Sequence, residues 1–297
     1  MKPFVIRFFR FIFLFGLVLA GIFCLIFLKK QETYTIKKHN IIIGDSNTRW
    51  GINDSILNNY HNFSTGGETY IFAFTKLRML EKDNKIDTLL LSFNPHNLIN
   101  NEWWYDTKTT PLQNRMPFFY NSFSYADHLV LMKTTPKNYL QSFIKTEAIE
   151  IYRLLGLNRE DKMFKFGSFI PVKNKKVNDT LFSHKKQAKV SDVEILYLKK
   201  IKEECKKNNI KLILVQPPKN KNSNRYVFYD FKEFYQIYHN DFADIDFLDF
   251  SKMDISEEYF WDIFHLNDVG ADYFSNFLEN KKIKNLLNSD YNRKRIK

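Results

Sequence analysis

The sequence predicts an α/β protein with a three-layer, doubly wound parallel sheet, preceded by a transmembrane helix and interrupted by an aromatic-rich insertion. Short apolar runs bounded by polar residues recur along the chain, as buried parallel strands do, and most are followed by apolar residues at helical spacing. With 297 residues and 44% hydrophobic composition, the chain is also large and apolar enough to bury such a core.

The N-terminal segment differs from the rest of the chain. Phe11 to Leu28 is an uncharged stretch of 18 residues, which as a helix would cross roughly 27 Å of hydrocarbon. It lacks the short apolar region and small-residue cleavage site of a signal peptide. We therefore predict an uncleaved membrane anchor over residues 1–30 and one domain over residues 31–297. Basic residues flank the stretch on both sides, so charge alone leaves its orientation open.

The remaining elements are predicted from their apolar patterns. The predicted strands are Asn40–Ile43, a short segment at Asn62-Phe63, Asp87–Ser92, Lys211–Gln216 and Ile245–Phe250. The predicted helices are Glu68–Lys82, Val190–Lys207 and a last helix from about Asn267-Asp268 to Leu287. Because alternating strands and helices form a parallel sheet covered on both faces, residues that follow the strands are expected to meet at one edge of the sheet.

Residues from about 99 to 183 interrupt this alternation. The segment contains aromatic clusters at Trp103-Trp104-Tyr105, Phe118-Phe119-Tyr120 and Phe123, and a clear helical pattern over Thr146–Leu155. An insertion after a strand's carboxyl end is typical of a lid or an acceptor-binding wall over a site. The alternative is that the aromatic residues form the insertion's own core, and the sequence leaves both interpretations open.

Two short motifs carry candidate chemistry. Gly44-Asp45-Ser46 directly follows the first strand, and Asp262-Ile263-Phe264-His265 precedes the last helix. A serine hydroxyl becomes a nucleophile when a neighbouring base takes its proton, and that base needs an orienting group. Ser46, His265 and Asp262 would fill these roles. The competing interpretation is that the first motif only caps a helix and that the histidine is a structural one in the core.

The order of these motifs resembles that of the SGNH, or GDSL, hydrolases and acyltransferases. In that family the serine follows the first strand, and an Asp and a His lie three residues apart near the C-terminus. The resemblance covers about Lys38 to Leu287, with a gap at the insertion. It implies a flavodoxin-like SGNH fold and a Ser-His-Asp triad that transfers or hydrolyses acyl esters.

The resemblance also implies which groups stabilise the oxyanion: the serine's own amide, a glycine of a second block and an asparagine after the third strand. Residues 62–69 match the second block and place the glycine at Gly67, with Gly66 as the alternative. After the third strand the asparagine matches Asn94, with Asn97 as the alternative.

The third block departs from the family pattern Gly-x-Asn-Asp, because Ser92-Phe93-Asn94-Pro95 keeps only the asparagine. This departure and the predicted anchor favour similarity to membrane-anchored relatives that acylate or deacylate surface polymers. The resemblance therefore implies O-acetyl transfer or hydrolysis on a cell-surface glycan, outside the cytoplasm, beside a membrane-bound O-acyltransferase. The alternative is a non-catalytic glycan-binding or scaffolding subunit of a polysaccharide modification or export complex.

The charge balance suits the same partners. Net charge is +12, and the first thirty residues hold five of the 45 basic groups and none of the 33 acidic ones. The remaining excess of basic groups is moderate and would favour an anionic membrane surface or glycan. No basic-aromatic signature of a nucleic-acid-binding module occurs. The two cysteines, Cys24 and Cys205, do not form a disulfide framework.

Other chemistries have less support in the sequence. There is no Gly-x-Ser-x-Gly elbow of an α/β-hydrolase and no glycine-rich phosphate loop. Asp244, Asp246 and Asp249 straddle a predicted strand, so we interpret them as capping or solvated groups rather than as glycosidase carboxylates. The seven histidines lack metal-ligand spacing. We therefore expect neither a metal nor a cofactor.

Overall fold

The computed structural model of the chain describes residues 2–28, 34–99, 111–154, 166–173, 189–221, 223 and 231–288. The chain divides into two compact units. One comprises residues 34–103 and 164–297 and contains the sheet; the other comprises residues 1–33 and 104–163.

A parallel sheet is the centre of the first unit. Its strands among the described residues are β1 (Asn40–Ile43), β2 (Tyr60–Asn62), β3 (Thr88–Ser92), β4 (Lys211–Gln216) and β5 (Asp246–Asp249). Their order is β2-β1-β3-β4-β5, and every neighbouring pair is parallel. The predicted α/β class and parallel sheet are therefore confirmed.

Helices cover both faces of this sheet. In chain order, the helices of the two units are α1 (Lys2–Leu28), α2 (Ser46–Gly51), α3 (Tyr70–Glu81), α4 (Pro111–Phe119), α5 (Tyr125–Thr134), α6 (Pro136–Leu154), α7 (Asp192–Lys207), α8 (Phe231–Ile237), α9 (Asp268–Lys281) and α10 (Ile283–Asn288). On one face α9 packs against α2, and its Phe274 joins a core with Ile42, Leu90 and Val215. Helices α3 and α7 pack together on the other face. Successive side chains of a strand point to opposite faces of the sheet, so each apolar strand contributes residues to the core on both faces.

The insertion contributes helices that were not predicted in full. Helices α4 and α5 pack on α6, and the predicted helical segment Thr146–Leu155 is the second half of α6, with Leu155 outside the described residues. The residues buried among these helices include Leu112, Met116, Phe119, Phe123 and Leu131. Phe119 and Phe123 thus belong to the insertion's own core, whereas Tyr125 and Tyr152 are exposed and Trp103-Trp104-Tyr105 lie outside the described residues.

Helix α1 begins at Lys2, earlier than the predicted apolar stretch Phe11–Leu28, and it includes Arg7 and Arg10. Among the residues that the structure describes, no helix is both long enough and apolar enough to cross a membrane, so the predicted transmembrane helix is not found there.

The last predicted helix starts where expected and ends early. The Asn267 side chain caps α9 by accepting a hydrogen bond from the Gly270 amide at 2.8 Å. The chain leaves the helix at Lys282, whose φ of 53° is incompatible with a right-handed helix, and α10 then continues to Asn288. The helical spacing of apolar residues up to Leu287 was visible in the sequence. The break at Lys282 was not predicted.

Candidate active site

Ser46 lies at the junction of β1 and α2. The three isoleucines of β1 are fully buried, and the chain then turns at Gly44. Asp45 caps α2, because its carboxylate accepts a hydrogen bond from the Asn47 amide at 3.0 Å. Ser46 is the first residue of α2, so its amide is one of the helix N–H groups without a partner inside the helix. Its hydroxyl and amide therefore lie together at the carboxyl edge of the sheet.

The turn before Ser46 depends on a close approach of β1 to β3. A Cβ atom at Gly44 would lie 2.3 Å from the Cβ of Ser92 and 2.6 Å from Oγ1 of Thr48. No larger residue fits there without moving the backbone of a central strand. Glycine is thus required by packing at the residue that starts the turn.

His265 lies in a short loop that precedes α9. An antiparallel bridge between Phe260 and Leu266 closes this loop. Inside it, Asp262 Oδ1 accepts hydrogen bonds from the amides of Phe264 at 2.7 Å and His265 at 2.8 Å. The Asp-x-x-His spacing therefore forms a tight turn in which the carboxylate and the imidazole meet.

The structure brings Ser46, His265 and Asp262 into one hydrogen-bonded row. Ser46 Oγ lies 2.8 Å from His265 Nε2, and His265 Nδ1 lies 2.8 Å from Asp262 Oδ2. Because a carboxylate only accepts, Nδ1 carries the proton and Nε2 is the acceptor for the serine hydroxyl. The packing of α9 on α2 brings these motifs together, although 219 positions separate the serine from the histidine.

The histidine and its carboxylate are shielded from water. Their side chains are 16% and 17% exposed, and the ring of Trp50 packs edge-on against His265 with centroids 4.6 Å apart. Burial would raise the pKa of Asp262, but hydrogen bonds and charge from His265 and nearby amides outweigh this effect and lower that pKa. Asp262 therefore remains ionised at neutral pH and can orient the imidazole.

Asp45 is a second buried carboxylate beside the serine, and it is only 1% exposed. Its donors come from α2, from the end of β3 and from the 3₁₀ turn Pro95–Asn97, and they are Asn47, Ser92, Asn94, His96 and Asn97. Burial would raise the pKa of Asp45, but the charge of His96 and these hydrogen bonds hold it well below its ordinary value. The carboxylate thus ties the segment after β3 to the serine turn.

Both oxyanion candidates after β3 are part of this network. Asn94 is fully buried, and its amide nitrogen donates to Asp45 Oδ2 and to Ser92 Oγ, each at 3.3 Å. The Asn97 side chain donates from Nδ2 to Asp45 Oδ2 at 3.0 Å, and its Oδ1 accepts from the backbone amide of Asn94 at 3.1 Å. The protons of the Asn94 side chain are therefore engaged with Asp45 and Ser92. An oxyanion role for Asn94 remains a prediction that requires it to exchange one of these bonds.

The loop with the glycine candidates is fixed beside Ser46. The Thr65 amide donates to the Gly44 carbonyl at 2.8 Å, which extends the β1–β2 ladder past the strand ends. Gly67 has a φ of 62°, in the left-handed region that favours glycine, so its place in the loop depends on the absence of a side chain. That Gly67 rather than Gly66 donates to the oxyanion remains a prediction.

Asn62 joins this loop to α2. Its side chain is fully buried; Nδ2 donates to the carbonyls of Thr48 and Ile52 at 3.0 and 2.8 Å, and Oδ1 accepts from the Ser64 amide at 2.9 Å. All these partners are backbone groups of the loop or of α2 and the residue that follows it. Asn62 thus positions the helix that begins with Ser46.

A buried ion pair that sequence reasoning missed supports the same loop. Lys76 of α3 is fully buried, and its Nζ lies 2.6 Å from Glu68 Oε1, 2.7 Å from the Phe63 carbonyl and 2.9 Å from Thr65 Oγ1. In the sequence Lys76 occupies a polar position of an amphipathic pattern, which is typical of a solvent-facing residue. Its burial follows from the loop that lies over α3, which the pattern does not reveal.

His96 and Lys219 also lie near Ser46 and were not predicted as site residues. The His96 side chain is 30% exposed, and Lys219 is 7% exposed. Burial lowers the pKa of Lys219 to about 8, against the opposing charges of Asp45 and Asp249. The available sequence signal was their position, since each follows a proline that lies two or three residues after the end of a strand.

Comparisons with known proteins give limited information about this site. A family model matches residues 145–288. A search of curated proteins finds no significant match. A crystal structure of a proposed acylhydrolase from Bacteroides fragilis is similar to the chain with a TM-score of 0.39 and 12% identity, over 86% of this chain and 92% of that one. A similarity of this size does not establish a shared activity, so the function must be argued from the site itself.

Proposed function

We propose that the protein is a serine-dependent acyl-ester hydrolase or transferase. The observation that carries this proposal is the row formed by Ser46, His265 and Asp262, with 2.8 Å between each pair of bonded atoms. Ser46 Oγ attacks the ester carbonyl while its proton passes to His265 Nε2. The ionised Asp262 holds the ring in the required tautomer and stabilises the imidazolium.

The oxyanion that forms during this attack needs donors. The amide of Ser46 at the start of α2 and the amide of Gly67 are the backbone groups that we assign to it, with Asn94 as a side-chain donor. His265 then protonates the leaving alcohol. An acceptor hydroxyl, from water or from a sugar, releases the acyl group from the serine by the reverse sequence of steps.

At a finer level, we propose an SGNH-type enzyme that acts on O-acetyl groups of a cell-surface glycan. The order of the two motifs along the chain and the loose third block support this assignment. An acyl donor or acceptor could be supplied by a membrane-bound O-acyltransferase, which is the partner that we propose.

Attachment to a membrane, with the catalytic unit outside the cytoplasm, is part of the same proposal. Helix α1 exposes large apolar side chains over consecutive turns, including Phe4, Phe8, Phe11 and Phe15. The check is to compare sedimentation with membranes for the full chain and for a chain that lacks residues 1–30. Equal sedimentation would contradict the proposed role of α1.

The activity is tested with p-nitrophenyl acetate. Ser46→Ala should abolish nitrophenol release and labelling by a serine-directed fluorophosphonate, whereas Ser55→Ala, at an exposed serine in a nearby turn, should behave as the wild type. His265→Gln should prevent labelling, because the probe requires an activated serine. Wild-type turnover by folded Ser46→Ala would contradict the proposal.

The scaffolding alternative has one specific observation in its favour. The Asn94 side chain, an expected oxyanion donor, is engaged with Asp45 and Ser92. A folded wild-type protein that neither reacts with the fluorophosphonate nor releases nitrophenol would favour this alternative over the enzyme.

A further inference from the structure

A second histidine–carboxylate pair lies beside Ser46. His96 Nε2 is 2.5 Å from Asp45 Oδ2, and Asp45 immediately precedes the serine in the chain. Because the carboxylate is an acceptor, Nε2 of the neutral ring carries the proton, and the lone pair of the ring is on Nδ1. Asp45 therefore fixes the tautomer of His96 as Asp262 fixes that of His265, with the two ring nitrogens exchanged.

Asp45 does not depend on His96 for its hydrogen bonds. Asn47 donates to it twice, and Ser92, Asn94 and Asn97 donate once each. A carboxylate has about four lone-pair sites, so these donors satisfy it without the imidazole. The contact therefore orients His96 in addition to lowering the pKa of Asp45.

The outer nitrogen of His96 is available to a ligand. The side chain is 30% exposed, and no hydrogen bond joins Nδ1 to any residue that the structure describes. The outer nitrogen of His265, in contrast, contacts Ser46. His96 Nε2 contacts Asp45 Oδ2 and lies 3.0 Å from Asn47 Nδ2, and these are the residues on either side of Ser46 in the chain, so the ring lies beside the serine.

The surroundings favour a neutral His96, which is the form that can accept a hydrogen bond. Burial lowers the pKa of His96; the Asp45 carboxylate opposes this shift, and the charges of Lys219 and His265 reinforce it. At neutral pH the ring therefore presents a lone pair at Nδ1 rather than a second N–H group.

We propose that His96 selects the acceptor of the acyl group, by accepting at Nδ1 a hydrogen bond from one hydroxyl of a vicinal diol, such as that of a sugar. The neighbouring hydroxyl of the same molecule attacks acyl-Ser46. A single water molecule has one oxygen and cannot occupy both positions. This inference rests on the proposed function and adds to it the residue that binds the acceptor and favours a vicinal diol over water.

The transfer step moves one proton and exchanges one bond. The attacking oxygen forms a bond to the acyl carbon while its proton goes to His265 Nε2. The bond between that carbon and Ser46 Oγ breaks, and the proton returns from His265 to Ser46 Oγ. His96 keeps its own proton on Nε2 throughout and acts only as the acceptor-binding residue.

The test measures how acetyl from p-nitrophenyl acetate is divided between water and an added alcohol. Ethylene glycol and its monomethyl ether have the same spacing of oxygens, but the ether oxygen cannot donate to Nδ1. The wild-type protein should transfer acetyl to the glycol in preference to the ether. His96→Gln keeps an amide donor for Asp45 and lacks the ring acceptor, so it should reduce transfer to the glycol about tenfold. The diagnostic quantity is the ratio of glycol transfer to ether transfer, because a change in the rate of acylation affects both products equally.

His239→Gln is the matched control, because this histidine is exposed in the π-helix Tyr238–Phe242 that precedes β5, and the substitution should leave the preference unchanged. Equal transfer to glycol and ether by the wild type overturns the inference, whether or not any variant folds. A wild-type preference in folded His96→Gln also overturns it. If release depends on Ser46 and the preference is absent, only the inference fails; if release does not depend on Ser46, the proposed function itself fails.

Discussion

At the scale of single residues, Asp45 has a larger part in this site than capping a helix. A buried charge is costly unless it is hydrogen-bonded, and Asp45 collects donors from three separate segments. Its pKa is lowered in the folded state, so the stability that it contributes is present above the ordinary pKa of about 3.9 and is lost as pH falls toward the folded value. The ionised residue thus couples the geometry of Ser46 to that of the segment after β3.

The tautomer of His265 leads to a prediction for Asp262→Asn. The side-chain oxygen would still accept from the two amides of the turn, but the new NH₂ group would face His265 Nδ1. Nδ1 would then become the acceptor, and the proton on Nε2 would prevent the ring from taking the proton of Ser46. We expect turnover of p-nitrophenyl acetate to fall about 10³- to 10⁴-fold with little change in thermal stability.

The control for this substitution is Asp254→Asn, at a carboxylate that is 84% exposed and pairs with an exposed lysine. It should change neither turnover nor stability. Turnover by folded Asp262→Asn close to the wild-type rate would show that Asp262 does not orient the base.

At the scale of elements, the loop between β2 and α3 is stabilised by a buried ion pair in addition to the buried ring of Phe63. Lys76 and Glu68 are fully buried or nearly so, and they bond to each other and to the loop. The pair connects the helix beneath the sheet edge to the turn that contains Gly67. The position of this candidate oxyanion donor therefore depends on an ion pair within the fold.

Lys76→Met should be strongly destabilising, because it leaves the Glu68 carboxylate buried without its main counter-charge. We expect the free energy of unfolding to fall by about 3–5 kcal/mol, as measured by urea denaturation. Adding Glu68→Gln to the same chain should restore much of this loss, since no charge then remains buried.

Lys211→Met is the matched comparison, because Lys211 and its partner Asp246 are 51% and 42% exposed. Loss of an exposed pair should cost about 0–1 kcal/mol. If both lysine substitutions had the same small effect, the pair in the loop would not be a buried support.

At the scale of the whole first unit, the packing of α3 on α7 brings together two acidic residues from distant parts of the chain. The Asn208 side chain donates to Glu81 Oε2 and to Glu204 Oε1, each at 3.0 Å. Burial raises the pKa of Glu81 to about 7, and the neighbouring Glu204 adds to this shift. The folded state therefore binds a proton that the unfolded chain has already lost.

This linkage has a definite sign. Between about pH 4.3, where an unfolded glutamate titrates, and the folded value of about 7, stability should fall as pH rises. Glu81→Gln removes this penalty, so its thermal midpoint should exceed that of the wild type at pH 8 by more than at pH 5. Glu203→Gln, at an exposed residue of α7 directly before Glu204, should show the wild-type pH dependence. A constant difference between Glu81→Gln and wild type across this range would contradict the linkage.

Local pattern was sufficient for the strands and for several helix ends. The isoleucines of β1, the leucines of β3 and the run that forms β4 are apolar without interruption, because a central parallel strand is buried on both faces. Asn267 signals the start of α9 through a side-chain oxygen that caps free amides. Such signals depend on a few neighbouring residues, so the elements can be predicted without knowledge of the tertiary structure.

The helices of the insertion and the break at Lys282 were not predictable in the same way. Helix α6 packs against α4 and α5. Most of its stability comes from that packing rather than from local helix propensity. The helix breaks at a single residue with positive φ, and this residue is a lysine rather than the glycine that would have predicted the break. Tertiary contacts outweigh local propensity in both places.

The sequence by itself determined the order of the elements and placed a serine after the first strand and an Asp-x-x-His turn before the last helix. Only the tertiary structure decided that Ser46 and His265 meet at 2.8 Å, and that Asp45, His96 and the Lys76–Glu68 pair surround them. Hydrophobic periodicity records which side of an element is buried, so it can be read locally. The partners of a buried polar group come from distant segments, and they are known only once the sheet and its helices have packed.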